Sequence, residues 1–119
     1  MKNLVTGAGG FIGRKLVGLL QDHDVIALDS HAGQMPAADF VDFIAGDLRN
    51  SDVMDQCLAD GIDAIAHLAT VTGGGAEQNP ELAWQVNVEG TRQLIRRISE
   101  QNNTPRRVFA SSIAVYGNN

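Results

Sequence analysis

Short apolar runs alternate along this chain with stretches whose apolar residues recur at helical spacing. The runs predict strands over residues 3–6, 24–28, 40–45, 63–68 and 107–110. Between them, 10–21 reads as a helix with Ile12, Leu16, Val17 and Leu20 on one stripe, Gly13 among them. A second helix starts from a Ser51 cap, turns Val53, Cys57 and Leu58 inward and stops at Gly61. The third starts at Asn79-Pro80-Glu81, a capping side chain followed by a first-turn proline and an acid at the positive end of the dipole. It runs to about residue 101, with Trp84, Val88, Thr91, Leu94, Ile95 and Ile98 as its buried side. Loops are expected over 30–39, which holds Gly33 and Pro36, over the glycine-rich 72–79, and over 111–117. Strand–helix alternation with apolar strands predicts a parallel sheet covered on both faces, the doubly wound α/β class.

Length and charge narrow the reading. A chain of 119 residues holds one domain with a core. Its net charge of −5, with no long Lys/Arg cluster, argues against nucleic acid or an anionic membrane as partner. No apolar run approaches the ~20 residues of a membrane span, and no signal peptide is visible. Cys57 is the only cysteine, so no intrachain disulfide forms; a cytoplasmic setting and an inert, half-buried thiol are expected.

The chemistry concentrates at the ends of the strands. Thr6-Gly7-Ala8-Gly9-Gly10-Phe11-Ile12-Gly13 follows the first strand and opens the first helix. A pyrophosphate needs backbone donors at a helix N-terminus and no side chains in the way. Gly7 suits the tight turn, Gly10 a close approach to phosphate, and Gly13 close packing of helix on sheet. Position 12, where a G-x-G-x-x-G form would need glycine, is Ile12, and no G-K-[ST] follows for a Walker A loop. Asp29 ends the second strand, where an acid can accept both ribose hydroxyls and repel a 2′-phosphate; this favours NAD over NADP. Arg14 works against that preference as a possible phosphate partner.

Asp47, within Gly46-Asp47-Leu48, can accept from an adenine amino group while Leu48 covers the ring. His67 ends the fourth strand and reads as a packed, hydrogen-bonded core residue rather than a catalyst; Leu68, Ala69 and Thr70 after it can lie beside the cofactor. Asn87 and Thr91 fall near the apolar stripe of the long helix, so Asn87 is expected to tie that helix to a strand end. Ser111 and Ser112 follow the fifth strand, at the sheet edge that carries ligands in doubly wound folds. No G-x-S-x-G elbow is present, so Ser112 reads as a positioning and proton-relay group rather than a nucleophile.

Together these residues resemble the extended short-chain dehydrogenase/reductase family, also called the NAD-dependent epimerase/dehydratase family. The resemblance runs through Thr6 to Gly13, Asp29, Gly46-Asp47-Leu48, His67-Leu68-Ala69, Asn87-Val88-Glu89-Gly90-Thr91 and the segment 111–117. It implies a Rossmann-type doubly wound parallel sheet of about five strands in the order 3-2-1-4-5. It also implies hydride transfer with NAD on a nucleotide sugar or small sugar acid. The cofactor-facing set is then Gly7, Gly10, Phe11, Ile12, Gly13, Asp29, Ser30, Asp47, Leu48, Leu68, Ala69, Thr70, Asn87 and Ser111, with no metal. Ser112 matches the serine of the family's Ser-Tyr-Lys catalytic set.

The family's Tyr-x-x-x-Lys, whose tyrosine is the general acid/base and whose lysine lowers its pKa, has no match here. Tyr116 is too close to Ser112 and reads as the Tyr-Gly that closes the serine loop. The chain is therefore expected to be the N-terminal part of such an enzyme, alone binding NAD weakly if at all and turning over no substrate. Ser112-Ile113-Ala114-Val115 and the segment 86–92 look closest to the branch acting on four-carbon sugar acids. A non-catalytic NAD-sensing or scaffold protein is the alternative. A homodimer is expected through the helix around Trp84 and Ile98, with Leu94 and Ile95 among the apolar groups left at the surface.

Overall fold

The computed structural model describes residues 1–31, 38–71, 73–101 and 103–112. The readings on Gly33, Pro36, Ile113, Ala114, Val115, Tyr116 and Gly117 lie outside the described residues. In chain order the elements are β1 (Lys2–Thr6), α1 (Phe11–Leu19), β2 (Asp24–Asp29), β3 (Val41–Ala45), α2 (Ser51–Leu58) and β4 (Ala64–His67). Then come α3 (Gly73–Gln78), α4 (Pro80–Trp84), a π-helical segment (Gln85–Gly90), α5 (Thr91–Ser99) and β5 (Arg106–Phe109).

The five strands form one parallel sheet in the order β3-β2-β1-β4-β5, the order expected. Its register pairs Leu4 with Ile26 on one side and with Ile65 on the other. Side chains alternate across a strand, so β1 and β2 feed two cores. Leu4, Ile26 and Leu28 pack with Met54, Cys57, Leu94 and Ile98 from α2 and α5. Val5, Val25 and Ala27 pack on the opposite face with Val17 of α1. A sheet buried on both faces explains why its inner strands read as continuous apolar runs rather than as alternation. β5 differs: it is an edge strand with all four residues exposed.

Several local expectations are corrected. Ile12 is 61% exposed. Gly13 and Val17 are the buried positions of α1. A Cβ on Gly13 would lie 2.2 Å from the Gly7 carbonyl oxygen, so this contact fixes the rotation of α1 and turns Ile12 away from the sheet. The cap of α2 is Asn50, not Ser51: its Oδ1 accepts from Asp52 N at 2.9 Å and from Val53 N at 3.2 Å. The inner face of α2 is Met54 and Cys57, with Val53 and Leu58 flanking it, and Cys57 is fully buried rather than half-buried.

The loop expected over 72–79 holds α3 instead, carried by Ala76-Glu77-Gln78 and closed by Asn79 N donating to the Gly75 carbonyl at 3.1 Å. The Asn79 cap and Pro80 stand as expected, with Asn79 Oδ1 accepting from Leu82 N at 3.1 Å. The long helix that follows is not uniform, since its middle is wound as a π-helix. Of the side expected to be buried, Leu94 and Ile98 are 1% and 0% exposed, so Leu94 is not left at the surface, whereas Trp84 and Val88 are 59% and 41% exposed. Ala83 and Gly90 are the buried positions there, and at Gly90 close approach to Leu48 needs a small residue: a Cβ would sit 3.2 Å from Leu48 Cδ2.

Candidate functional site

The carboxyl ends of β1 to β4 open on a cavity of ≈ 710 Å³. Parallel strands place all their carboxyl ends on one edge, so residues distant in sequence converge there. A second hollow of ≈ 570 Å³, lined by Lys2, Asp60, Asp63 and Glu100, lies at the opposite edge, away from the glycine turn.

The turn after β1 is the floor. Gly7 takes φ +68°, and a Cβ there would lie 2.7 Å from Ala69 N, so both conformation and space require glycine. Ala8 N donates to the Leu28 carbonyl at 3.1 Å and Gly10 N to the Gly7 carbonyl at 3.2 Å. Gly10 is the N-cap of α1 and contributes no side chain to cap it. The first-turn N–H groups of a helix have no partner within it, and the dipole is positive there. Gly10, Phe11, Ile12 and Gly13 line the cavity.

Asp29 forms one rim. Its Oδ2 accepts from Gly9 N at 2.9 Å and its Oδ1 from His31 N at 3.0 Å. Each oxygen keeps acceptor capacity after these bonds. A Cβ on Gly9 would come within 3.0 Å of that carboxylate, a role for Gly9 that glycine spacing does not reveal. Ser30 and His31 line the cavity beside it, with Ser30 Oγ 3.0 Å from His31 Nδ1.

Asp47 and Leu48 line the far end with Arg49. Arg49 Nη2 donates to Asp47 Oδ2 at 2.6 Å and Nε to Oδ1 at 3.0 Å. The guanidinium holds the Asp47 carboxyl below the usual carboxylate range, against an opposing effect of burial. Arg49 and Val71, Leu82 and Val86, which add apolar wall, are residues that motif reading passes over.

Leu68, Ala69 and Thr70 form the wall after β4. Thr6 Oγ1 accepts from Leu68 N at 3.1 Å and Ala69 N at 3.2 Å. His67 is buried, with Nδ1 2.6 Å from Thr6 Oγ1 and Nε2 2.8 Å from Thr91 Oγ1, and its ring meets Phe109 edge-on. This is the packed, hydrogen-bonded core histidine that its position suggests. Burial lowers its pKa.

Asn87 does not line the cavity; it braces the wall. Its Oδ1 accepts from Val71 N at 2.8 Å and from Thr70 Oγ1 at 3.0 Å, and its Nδ2 donates to the Val71 carbonyl at 2.8 Å. Ser111 and Ser112 are exposed, follow β5, and lie outside the lining. Among the described residues no group of three or more His, Cys, Asp or Glu is placed to hold a metal, and no helix is long and apolar enough to cross a membrane. A helix N-terminus, an acid with spare acceptors on the adjacent strand end and an apolar wall suit an extended anion bearing a diol and a ring.

A family model described as the NAD dependent epimerase/dehydratase family matches residues 3–119. A D-erythronate dehydrogenase of Cupriavidus necator is 32% identical over 130 residues, covering 98% of this chain and 40% of its own length. MoeE5, solved in complex with UDP-glucuronic acid and NAD, superposes with a TM-score of 0.84 at 33% identity, covering 98% of this chain and 38% of that one. The epimerase Mth375 of Methanothermobacter thermautotrophicus gives a TM-score of 0.87 at 27% identity, over 95% of this chain and 35% of its own. The chain thus spans about two fifths of the length of these relatives.

Proposed function

The chain belongs to the NAD-dependent epimerase/dehydratase family, and we propose that its cavity holds NAD for hydride transfer at a carbon of a sugar acid or nucleotide sugar. The observation that carries this reading is the pairing of the glycine-capped N-terminus of α1 with the Asp29 carboxylate, joined through Gly9 N at 2.9 Å. The residues present fit the group. First-turn N–H groups of α1, beside Gly7, Gly10 and Gly13, hold the pyrophosphate. The spare acceptors of Asp29 take the ribose hydroxyls beside Ser30, and its charge opposes a 2′-phosphate, which favours NAD over NADP.

Asp47 accepts from the adenine amino group and Leu48 covers the ring. Phe11, Ile12, Leu68, Ala69 and Thr70 flank the remainder, with Asn87 keeping Thr70 and Val71 in place. When bound, NAD supplies a hydride acceptor or donor. Ser111 and Ser112 lie at the substrate side, where Ser112 orients the reacting hydroxyl or carbonyl by a hydrogen bond. The likeness to a D-erythronate dehydrogenase supports a four-carbon sugar acid as substrate, and the likeness to MoeE5 supports a nucleotide sugar. The 119 residues hold no Tyr-x-x-x-Lys, so they are expected to turn over neither. Trp84 and Val88, both exposed, are the groups through which two copies associate in this reading, and sedimentation of Trp84→Asp tests it.

Titration calorimetry with NAD tests the site. A Cβ on Gly10 meets only the Gly7 oxygen, at 3.4 Å, so Gly10→Val keeps the fold while filling the approach to α1. Binding by the parent chain and its loss in Gly10→Val, at an unchanged unfolding midpoint, is the expected outcome. Equal affinity in the two proteins overturns the phosphate site.

A further inference from the structure

The contacts of Asp47 assign a task to the arginine two positions on. Resting on the NAD reading above, we infer that Arg49, braced by Gln85, is a positioning residue that aims Asp47 and thereby selects a purine bearing an exocyclic amino group over one bearing an exocyclic oxygen.

Asp47 and Arg49 have side chains 42% and 37% exposed. A pair this exposed is usually a mobile contact of little consequence. This one is held at several points. Arg49 Nη2 reaches Oδ2 at 2.6 Å, Nε reaches Oδ1 at 3.0 Å and Oδ2 at 3.2 Å, and the Arg49 backbone N–H reaches Oδ1 at 2.8 Å. A planar guanidinium on both oxygens of a carboxylate fixes its rotation, which a lysine ammonium would not do. Arg49 is in turn anchored by a residue distant in sequence: its Nη1 donates to Gln85 Oε1 at 2.8 Å. Gln85 begins the π-helical segment, whose next residue, Val86, lines the same cavity.

Counting lone pairs shows what this leaves. A carboxylate offers about four acceptor sites. Oδ1 already receives two N–H groups, whereas Oδ2 receives one short bond and the longer share of a divided one. One good acceptor direction therefore remains, on Oδ2. Arg49 also favours the ionised form, so the group can accept a hydrogen bond and cannot donate one. An amino group satisfies that direction; a carbonyl oxygen placed there meets like charge. Without Arg49 the carboxylate turns in solvent and the preference fades.

The test compares NAD with nicotinamide hypoxanthine dinucleotide, in which a carbonyl oxygen replaces the amino group and the adjacent ring nitrogen gains a hydrogen, on the 119-residue chain by titration calorimetry. The parent chain is expected to prefer NAD roughly tenfold or more. Arg49→Lys keeps the charge without the two-point grip, and Gln85→Leu removes the anchor while leaving the ion pair. Both are expected to bring the two ligands within about threefold, by loss of affinity for NAD alone, at unchanged unfolding midpoints. Variants that retain the full preference, or that weaken both ligands equally, overturn the inference. A parent chain that binds both ligands equally overturns it while leaving the NAD site standing. A parent chain that binds neither overturns both readings.

Discussion

Thr6 Oγ1 lies 2.6 Å from His67 Nδ1, and the other contacts of Thr6 settle which of the two donates. Its oxygen already accepts from Leu68 N and Ala69 N, so its proton goes to Nδ1. Nδ1 is then an acceptor, Nε2 carries the ring proton, and Nε2 donates to Thr91 Oγ1 at 2.8 Å. A protonated ring would set a second N–H against the Thr6 hydroxyl and loosen the clasp on the strand end that faces Gly7.

This predicts a pH dependence. Burial lowers the folded pKa of His67 below its ordinary value of 6.5. As pH falls past 6.5 the unfolded chain takes up the proton first, so the folded state loses stability relative to it. The contribution is complete above 6.5 and declines as pH drops toward the folded pKa. Urea midpoints between pH 8 and pH 5 are expected to fall more steeply in the parent protein than in His67→Gln. Parallel slopes contradict a His67 ring kept neutral by burial.

Gly13 and Gly18 lie on the same helix and are expected to respond in opposite directions to alanine. A Cβ on Gly13 would stand 2.2 Å from the Gly7 oxygen and 2.7 Å from Ala8 Cα, all backbone, with no flexible neighbour to yield. Gly13→Ala is expected to cost on the order of 2–4 kcal/mol. Gly18 has nothing within 4 Å of the same position. Gly18→Ala is expected to stabilise by about 0.5–1 kcal/mol through helix propensity. Denaturant unfolding of the two variants checks both signs.

Asp29→Ala is expected to narrow the preference for NAD over NADP by roughly tenfold, chiefly by weakening NAD. The same change frees Gly9 N and His31 N, so NADP gains donors as well as losing a repulsive charge. Competition titrations with the two dinucleotides measure the ratio. A ratio left intact removes Asp29 from the ribose site.

Cys57 is fully buried, and desolvation pushes its thiol up to about 11. The reactive thiolate is therefore scarce at neutral pH and out of reach. An aromatic disulfide reagent at pH 8 is expected to label the native chain only at the rate of opening, and to label it at once in urea. Fast native labelling contradicts this burial.

The strands are legible in the sequence because both faces of the sheet are buried, which makes the middle of β2 and most of β4 apolar runs and leaves Leu4 and Val5 as the apolar centre of β1. Gly7 and Gly13 are legible for the same kind of reason, since close backbone approach leaves glycine no substitute. Rotations of helices are not. Ile12 fits a helical stripe by spacing, yet the Gly7–Gly13 contact turns it outward. Trp84 and Val88 mislead likewise, because the small residues Ala83 and Gly90 are the buried positions and the segment from Gln85 to Gly90 is wound as a π-helix, which shifts the stripe. Asn50 and Ser51 are both able caps, and only the backbone settles which one serves. Arg49 had a signal, a cation two residues after Asp47. Gln85, far along the chain, had none.

The position of β1 at the centre of the sheet has a consequence for how the chain comes to be folded. β1 leaves the ribosome ahead of the other four strands, yet Asn3 finds its partner on one edge only when Ala64 has been made. Until then Leu4 and Val5 present an open apolar edge, held at most by β2. Contacts of such sequence separation close late, because the loop between them loses its freedom before any pairing is gained. The segment that builds the glycine turn in the finished protein is therefore, during synthesis, the one most open to pairing with another nascent chain.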